Sequence, residues 1–82
     1  MTKGQWQNIF AILEESKNNY YEVSREAWRA VNDSAFRMQK FPTFTRQEMQ
    51  FDYGVKQNRY IILMDDIRAL KEVRDYYLGE KE

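Results

Sequence analysis

Cysteine and histidine are both absent from the 82 residues. Without cysteine there is neither a disulfide staple nor a thiolate metal site. Without histidine the chain lacks the commonest general base and the commonest metal ligand. A serine nucleophile therefore has no imidazole to activate it. The three glycines, Gly4, Gly54 and Gly79, stand far apart, which excludes a glycine-rich phosphate loop. No apolar run approaches the roughly 18 residues of a membrane span. The first residues lack the basic-then-apolar pattern of a secretion signal, so a cytoplasmic location is the expectation.

Charge of one sign is missing as well. Thirteen basic residues balance thirteen acidic ones, and the two halves of the chain are each close to neutral. Phosphate-driven binding of nucleic acid therefore has little support from composition. Aromatic residues, by contrast, make up 16% of the chain. A thin helical protein has little interior in which to hide them, which points to a partner surface.

Pro42 is the only proline, and it stands in the stretch that organises the rest. Its ring ends a helix arriving from upstream and pushes Phe41 out of the helical region. Thr45 and Glu48 then make a Thr-x-x-Glu capping box that starts the next helix, with Phe44 and Met49 at the positions of a hydrophobic staple. Phe41, Pro42, Phe44, Thr45, Glu48 and Met49 form the expected hinge. Thr2 and Gln5, flanked by Met1 and Trp6, repeat the capping pattern at the start of the chain.

Between these signals the apolar residues follow a helical period. From Trp6 to Met38 most fall within one half of a wheel at 100° per residue, which predicts one helix over about 3–40, roughly 57 Å long. Lys17-Asn18-Asn19 and Asn32-Asp33-Ser34 are its weak places. Phe36 falls on the polar side of this register. Glu22–Arg25, Glu26–Arg29 and Asp33–Arg37 have the spacing of supporting ion pairs.

A turn over 41–45 and a second helix over about 46–78 complete the domain, 1–82. The second helix carries two apolar stripes. One holds Met49, Tyr53, Tyr60, Leu63, Met64, Ile67, Leu70, Tyr77 and Leu78, in the three-and-four rhythm that packs against one antiparallel neighbour. The other holds Phe51, Val55, Ile62, Ala69, Val73 and Tyr76, about 150° away. The competing reading of 51–64 is a β-hairpin around Lys56-Gln57-Asn58, since Tyr60–Met64 is a run that periodicity alone does not assign. Gly54 is a candidate bend, Gly79 is placed just past the helix end, and Glu80-Lys81-Glu82 is expected to fray.

A helix apolar on two faces needs two neighbours. The expected fold is therefore all-α: an antiparallel helical hairpin of two long helices that pairs with a second copy into a dimeric four-helix bundle. Phe51, Val55, Ile62, Ala69, Val73 and Tyr76 are the expected interface.

Chemistry is sparse. Glu72 and Asp75 make a Glu-x-x-Asp pair, a spacing used by helical-bundle enzymes that hold divalent metals. Such sites need a second carboxylate pair on a facing helix, and none has that spacing. Asp65 has Arg68 at ion-pair spacing. Arg25, Trp28, Arg29 and Arg37 suggest an aromatic and basic surface for nucleic acid, but Glu22, Glu26 and Asp33 interleave with them and repel phosphate. Cofactors and catalysis are not expected. A non-enzymatic interaction protein is: a homodimer, with room for a different protein partner, and with no membrane.

Overall fold

The structure is a computed structural model that describes residues 1–79. Its described part is all-helical, and three helices follow one another as α1 (Lys3–Asn32), α2 (Ser34–Lys40) and α3 (Arg46–Gly79). The expected fraying of Glu80-Lys81-Glu82 lies outside the described residues.

Both capping boxes form. Gln5 N donates to Thr2 Oγ1 at 3.1 Å while Thr2 N donates to Gln5 Oε1 at 2.8 Å. At the start of α3, Glu48 N donates to Thr45 Oγ1 at 3.1 Å and Thr45 N donates to Glu48 Oε1 at 3.3 Å. Each box satisfies backbone donors that a helix start leaves unpaired. Ahead of the second box the chain reverses in a β-turn, with Phe44 N donating to Phe41 O at 3.0 Å. Pro42 takes the position of that turn at which a fixed φ is favoured. The rings of Phe41 and Phe44 stack 5.9 Å apart with an interplanar angle of 7°.

The single helix expected over about 3–40 is two helices. Asp33 leaves the helical region at φ −126°, ψ 102°. It ends α1, with its N–H donating to Arg29 O, and it starts α2, with its carboxylate accepting from Phe36 N at 3.1 Å. Asp competes for backbone N–H groups in this way, which is why it weakens helix interiors and favours caps. Arg37 covers the gap, donating from Nη1 to Ala30 O at 2.9 Å. The break resets the wheel. Phe36 leaves the polar side and packs against buried Ala27, Ala30, Val31 and Met49. Ala35 and Met38, assigned to the apolar side, become exposed instead.

Residues 51–64 lie within α3, so the strand pairing there is not formed. The helix runs through Gly54 and includes Gly79 rather than ending before it.

α1 packs along α3. Facing residues run in opposite order: Glu14 meets Lys71, Tyr21 meets Tyr60 and Trp28 meets Tyr53. The two long helices therefore lie side by side in opposite directions. Two cores hold the seam. Near the turn, Ala27, Ala30, Val31 and Met49 are buried, with Phe36, Phe41 and Tyr53 packed on them. Near the chain ends, Trp6, Phe10 and Ile67 are buried under Leu13, Leu63, Leu70 and Leu78. Burying a side chain such as Met49 or Ile67 stabilises the fold by about 1.5–3 kcal/mol. Between the cores the seam is more polar. Buried Ser24 satisfies its hydroxyl on Tyr21 O at 2.8 Å, and Lys17 holds Glu14 at 2.6 Å.

The molecule measures 56 × 17 × 14 Å. With α1 and α3 side by side along its length, the structure is a single layer of long helices. Among the described residues, no helix lies behind α3.

Candidate functional site

The stripe assigned to an interface stands on the uncovered side of α3. Phe51 is 76% exposed, Ile62 51% and Tyr76 62%, and Val55, Ala69 and Val73 are exposed beside them. From Phe51 to Tyr76 the stripe runs roughly 38 Å at 1.5 Å per residue. Single exposed apolar residues are ordinary, but here six align along one face. Tyr76 and Tyr77 pack edge to face at 5.6 Å with both rings exposed. In the Tyr20–Tyr21 pair, by contrast, Tyr20 is half-buried beside exposed Tyr21.

A second set of residues belongs to the same side. Ile9, Ile12 and Val23 of α1 are exposed. At 100° per residue they lie across the seam from Glu14, Tyr21 and Trp28. On α3 the stripe likewise lies across the seam from Lys71, Tyr60 and Tyr53, the partners of those three. The helices are antiparallel, so the α1 flank and the α3 stripe come out on one side of the slab. α3 therefore does not cover the whole apolar half of α1. The signal for this in the sequence was the width of that half, which exceeds what one neighbouring helix covers.

The opposite edge of the seam is a different surface. Here Tyr21, Trp28, Phe36, Tyr53 and Tyr60 line an open groove of about 770 Å³ with Arg25, Arg29 and Lys40. Trp28 and Tyr53 rings are 4.9 Å apart. Arg29 lies 4.2 Å over Phe36 and Arg25 lies 5.6 Å over Tyr21. The helix-spaced pairs Glu22–Arg25, Glu26–Arg29 and Asp33–Arg37 are not among the ion pairs of the described residues, and neither is Asp65–Arg68. Of the four residues assigned to nucleic acid, Arg25, Trp28 and Arg29 come together in this groove. Arg37 does not, because its guanidinium is held on the carbonyls that end α1. Glu22 and Glu26 line the same groove.

Glu72 and Asp75 are both exposed, and Asp75 is paired with Arg74 at 2.9 Å. Among the described residues, no group of three or more acidic side chains is gathered closely enough to hold a metal ion. A carboxyl with a displaced pKa lies elsewhere. Glu14 is held below the ordinary glutamate value mainly by its hydrogen bond from Lys17, with burial opposing and Lys71 adding to the effect. It bridges Lys17 of its own helix and Lys71 of α3, which makes it a seam contact.

The hinge residues act in architecture. Met49 is fully buried, Phe41 packs on the core around it, and Phe44 covers Phe41 from outside. Lys56 reaches toward the Phe41 ring at 5.9 Å and pairs with Asp52 at 2.7 Å. No helix of the described residues is long and apolar enough to cross a membrane. Compared with known proteins, the chain matches no family model, no curated protein and no solved structure.

Proposed function

We propose that this chain is a small non-enzymatic interaction module of the cytoplasm, an adaptor, assembly factor or inhibitor that acts by covering a protein partner. Its working unit in this reading is an antiparallel helical hairpin, and two copies pair into a dimeric four-helix bundle. The observation that carries the proposal is the exposure of Phe51, Val55, Ile62, Ala69, Val73 and Tyr76 on a single layer of long helices. Left in water, this face forgoes burial worth about 25 cal/mol per Å2 of apolar area. That loss is comparable with the stability of a small domain, about 5–15 kcal/mol.

Light scattering on the purified chain tests it. A dimer at micromolar concentration is expected, with Ile62→Asp converting it to a monomer. A wild-type monomer that also captures no stable protein partner in a mild pull-down overturns the reading.

Nucleic-acid binding is the second reading, and it is favoured by one observation. Arg25 and Arg29 flank Trp28 and Tyr53 without a carboxylate partner among the ion pairs of the described residues. Aromatic rings and arginines together form stacking platforms for single strands. A mobility-shift assay at low salt, with Arg25→Ala/Arg29→Ala as the control, decides it.

A further inference from the structure

The side of the slab that carries the α3 stripe has an uneven distribution of charge. On α1, the flank made by Gln5, Ile9, Ile12, Ser16, Tyr20 and Val23 contains no charged residue. On α3, the strip between the seam and the apolar stripe carries Glu48, Arg59 and Asp66. Arg59 and Asp66 are both exposed, and neither is in an ion pair within the described residues. They stand seven residues apart, about 10.5 Å along the helix and nearly in line. Their midpoint lies between Ile62 and Leu63, close to the middle of α3.

We infer that a second copy covers this side with its own, α3 antiparallel to α3 and α1 to α1, so that Arg59 of each copy meets Asp66 of the other. The inference rests on the proposed self-association and adds its composition and direction. Closed dimers are twofold symmetric. A twofold axis crossing the helices between Ile62 and Leu63 brings Arg59 opposite Asp66 twice. The same axis brings Val55 within one helical turn of Val73 of the second copy, and the Phe51 end near the Tyr76 end. Ile9, Ile12 and Val23 then face the same flank of the second α1. Parallel pairing instead sets Arg59 beside Arg59 and Asp66 beside Asp66, and like charges at an interface disfavour an arrangement. The side runs the 56 Å length of the molecule, and an interface of standard size buries about 800 Å2 per partner.

The chain contains no cysteine, so introduced thiols report direction without background. Val55→Cys and Val73→Cys are made separately, and each is checked for dimer by light scattering. They are then mixed and oxidised, or treated with a short bis-maleimide. The expected product is a mixed link between the two variants, with little link within Val55→Cys alone, whose thiols are about 22 Å apart along the axis. In parallel, Arg59→Asp is expected to weaken the dimer about tenfold, and Arg59→Asp/Asp66→Arg to restore it. A dimer that links through Val55→Cys alone, that gives no mixed link, or that ignores Arg59→Asp overturns the antiparallel arrangement and leaves self-association standing. A wild-type monomer overturns both.

Discussion

The inner and outer faces of α3 are built from the same kinds of residue, yet they meet opposite surroundings. Inside, Met49 and Ile67 are buried, and Leu63 and Leu70 are half-buried against α1. Outside, Ile62 lies next in sequence to Leu63, and Ala69 next to Leu70, but both are exposed. Residue type therefore does not separate the buried face from the exposed one here. Position on the wheel does, because one neighbouring helix covers only one side of α3. What differs between the faces is their cover. The inner face is covered within the chain, whereas the outer face stands exposed, and under the proposed self-association its cover would depend on protein concentration.

The sharpest way to break this contrast is to cut each face once. Met49→Ala removes a fully buried side chain and is expected to destabilise the fold by about 2–5 kcal/mol, as large-to-small core changes do. Urea unfolding followed by circular dichroism measures it. An effect no larger than that of a surface change would show that the turn-end core does not hold the helices together.

Ile62→Asp cuts the other face. It is expected to weaken self-association by at least about 100-fold, since a charge with no partner enters an apolar contact. The folded monomer should keep its helical signal. A melting temperature that rises with protein concentration in the wild type should become independent of it in the variant. Equal concentration dependence in both would place the interface elsewhere.

The two caps come next in size. Thr45→Ala removes the acceptor for Glu48 N and should cost about 1 kcal/mol, the usual value of an N-cap. Because the box lies at the turn end of α3, away from Ile62, its loss should lower the unfolding midpoint without changing the proposed self-association. Sedimentation velocity on the variant checks the second half of that statement.

The smallest effect belongs to the seam's polar middle. Glu14 has a carboxyl held below its ordinary value of 4.5, first by Lys17. A lowered folded value means its contribution is complete at neutral pH, begins to fade below about 4.5, and is lost as pH falls through the folded value. Glu14 is exposed enough for solvent to screen the interaction, so the effect is slight. Unfolding midpoints at neutral and acid pH should differ a little less in Glu14→Gln than in the wild type. An unchanged difference would separate Glu14 from the acid sensitivity of the seam.

Much of the fold was legible because its signals are local. A capping box joins residues three apart, and a proline acts on its immediate neighbours, so Thr2–Gln5, Pro42 and Thr45–Glu48 could be read from short stretches. The inner stripe of α3 was equally legible, since Met49, Ile67 and Leu70 recur at helical spacing. Asn32-Asp33-Ser34 was visible as a weak place but not as a break. Whether Asp33 stays in the helix depends on what the break gains: Phe36 N for its carboxylate, and Arg37 on the carbonyls left open. The exposed flank at Ile9, Ile12 and Val23 was hidden for another reason. A wheel shows which residues share a side, but not how wide a strip the neighbour covers.

By itself, then, the order of residues determined where each long helix starts, where the chain turns back, and which stripe of α3 faces inward. These follow from backbone donors needing partners and apolar groups needing cover, within a few residues or one helical period. Only the tertiary structure decided which edge of the seam each flank occupies. That depends on the opposed directions of α1 and α3, which bring Tyr21 to Tyr60 and Trp28 to Tyr53 on one edge. The same packing leaves Ile12 and Val23 beside the stripe of Val55, Ile62 and Val73 on the other. No short stretch encodes that handedness, because it arises from two right-handed helices laid side by side in opposite senses.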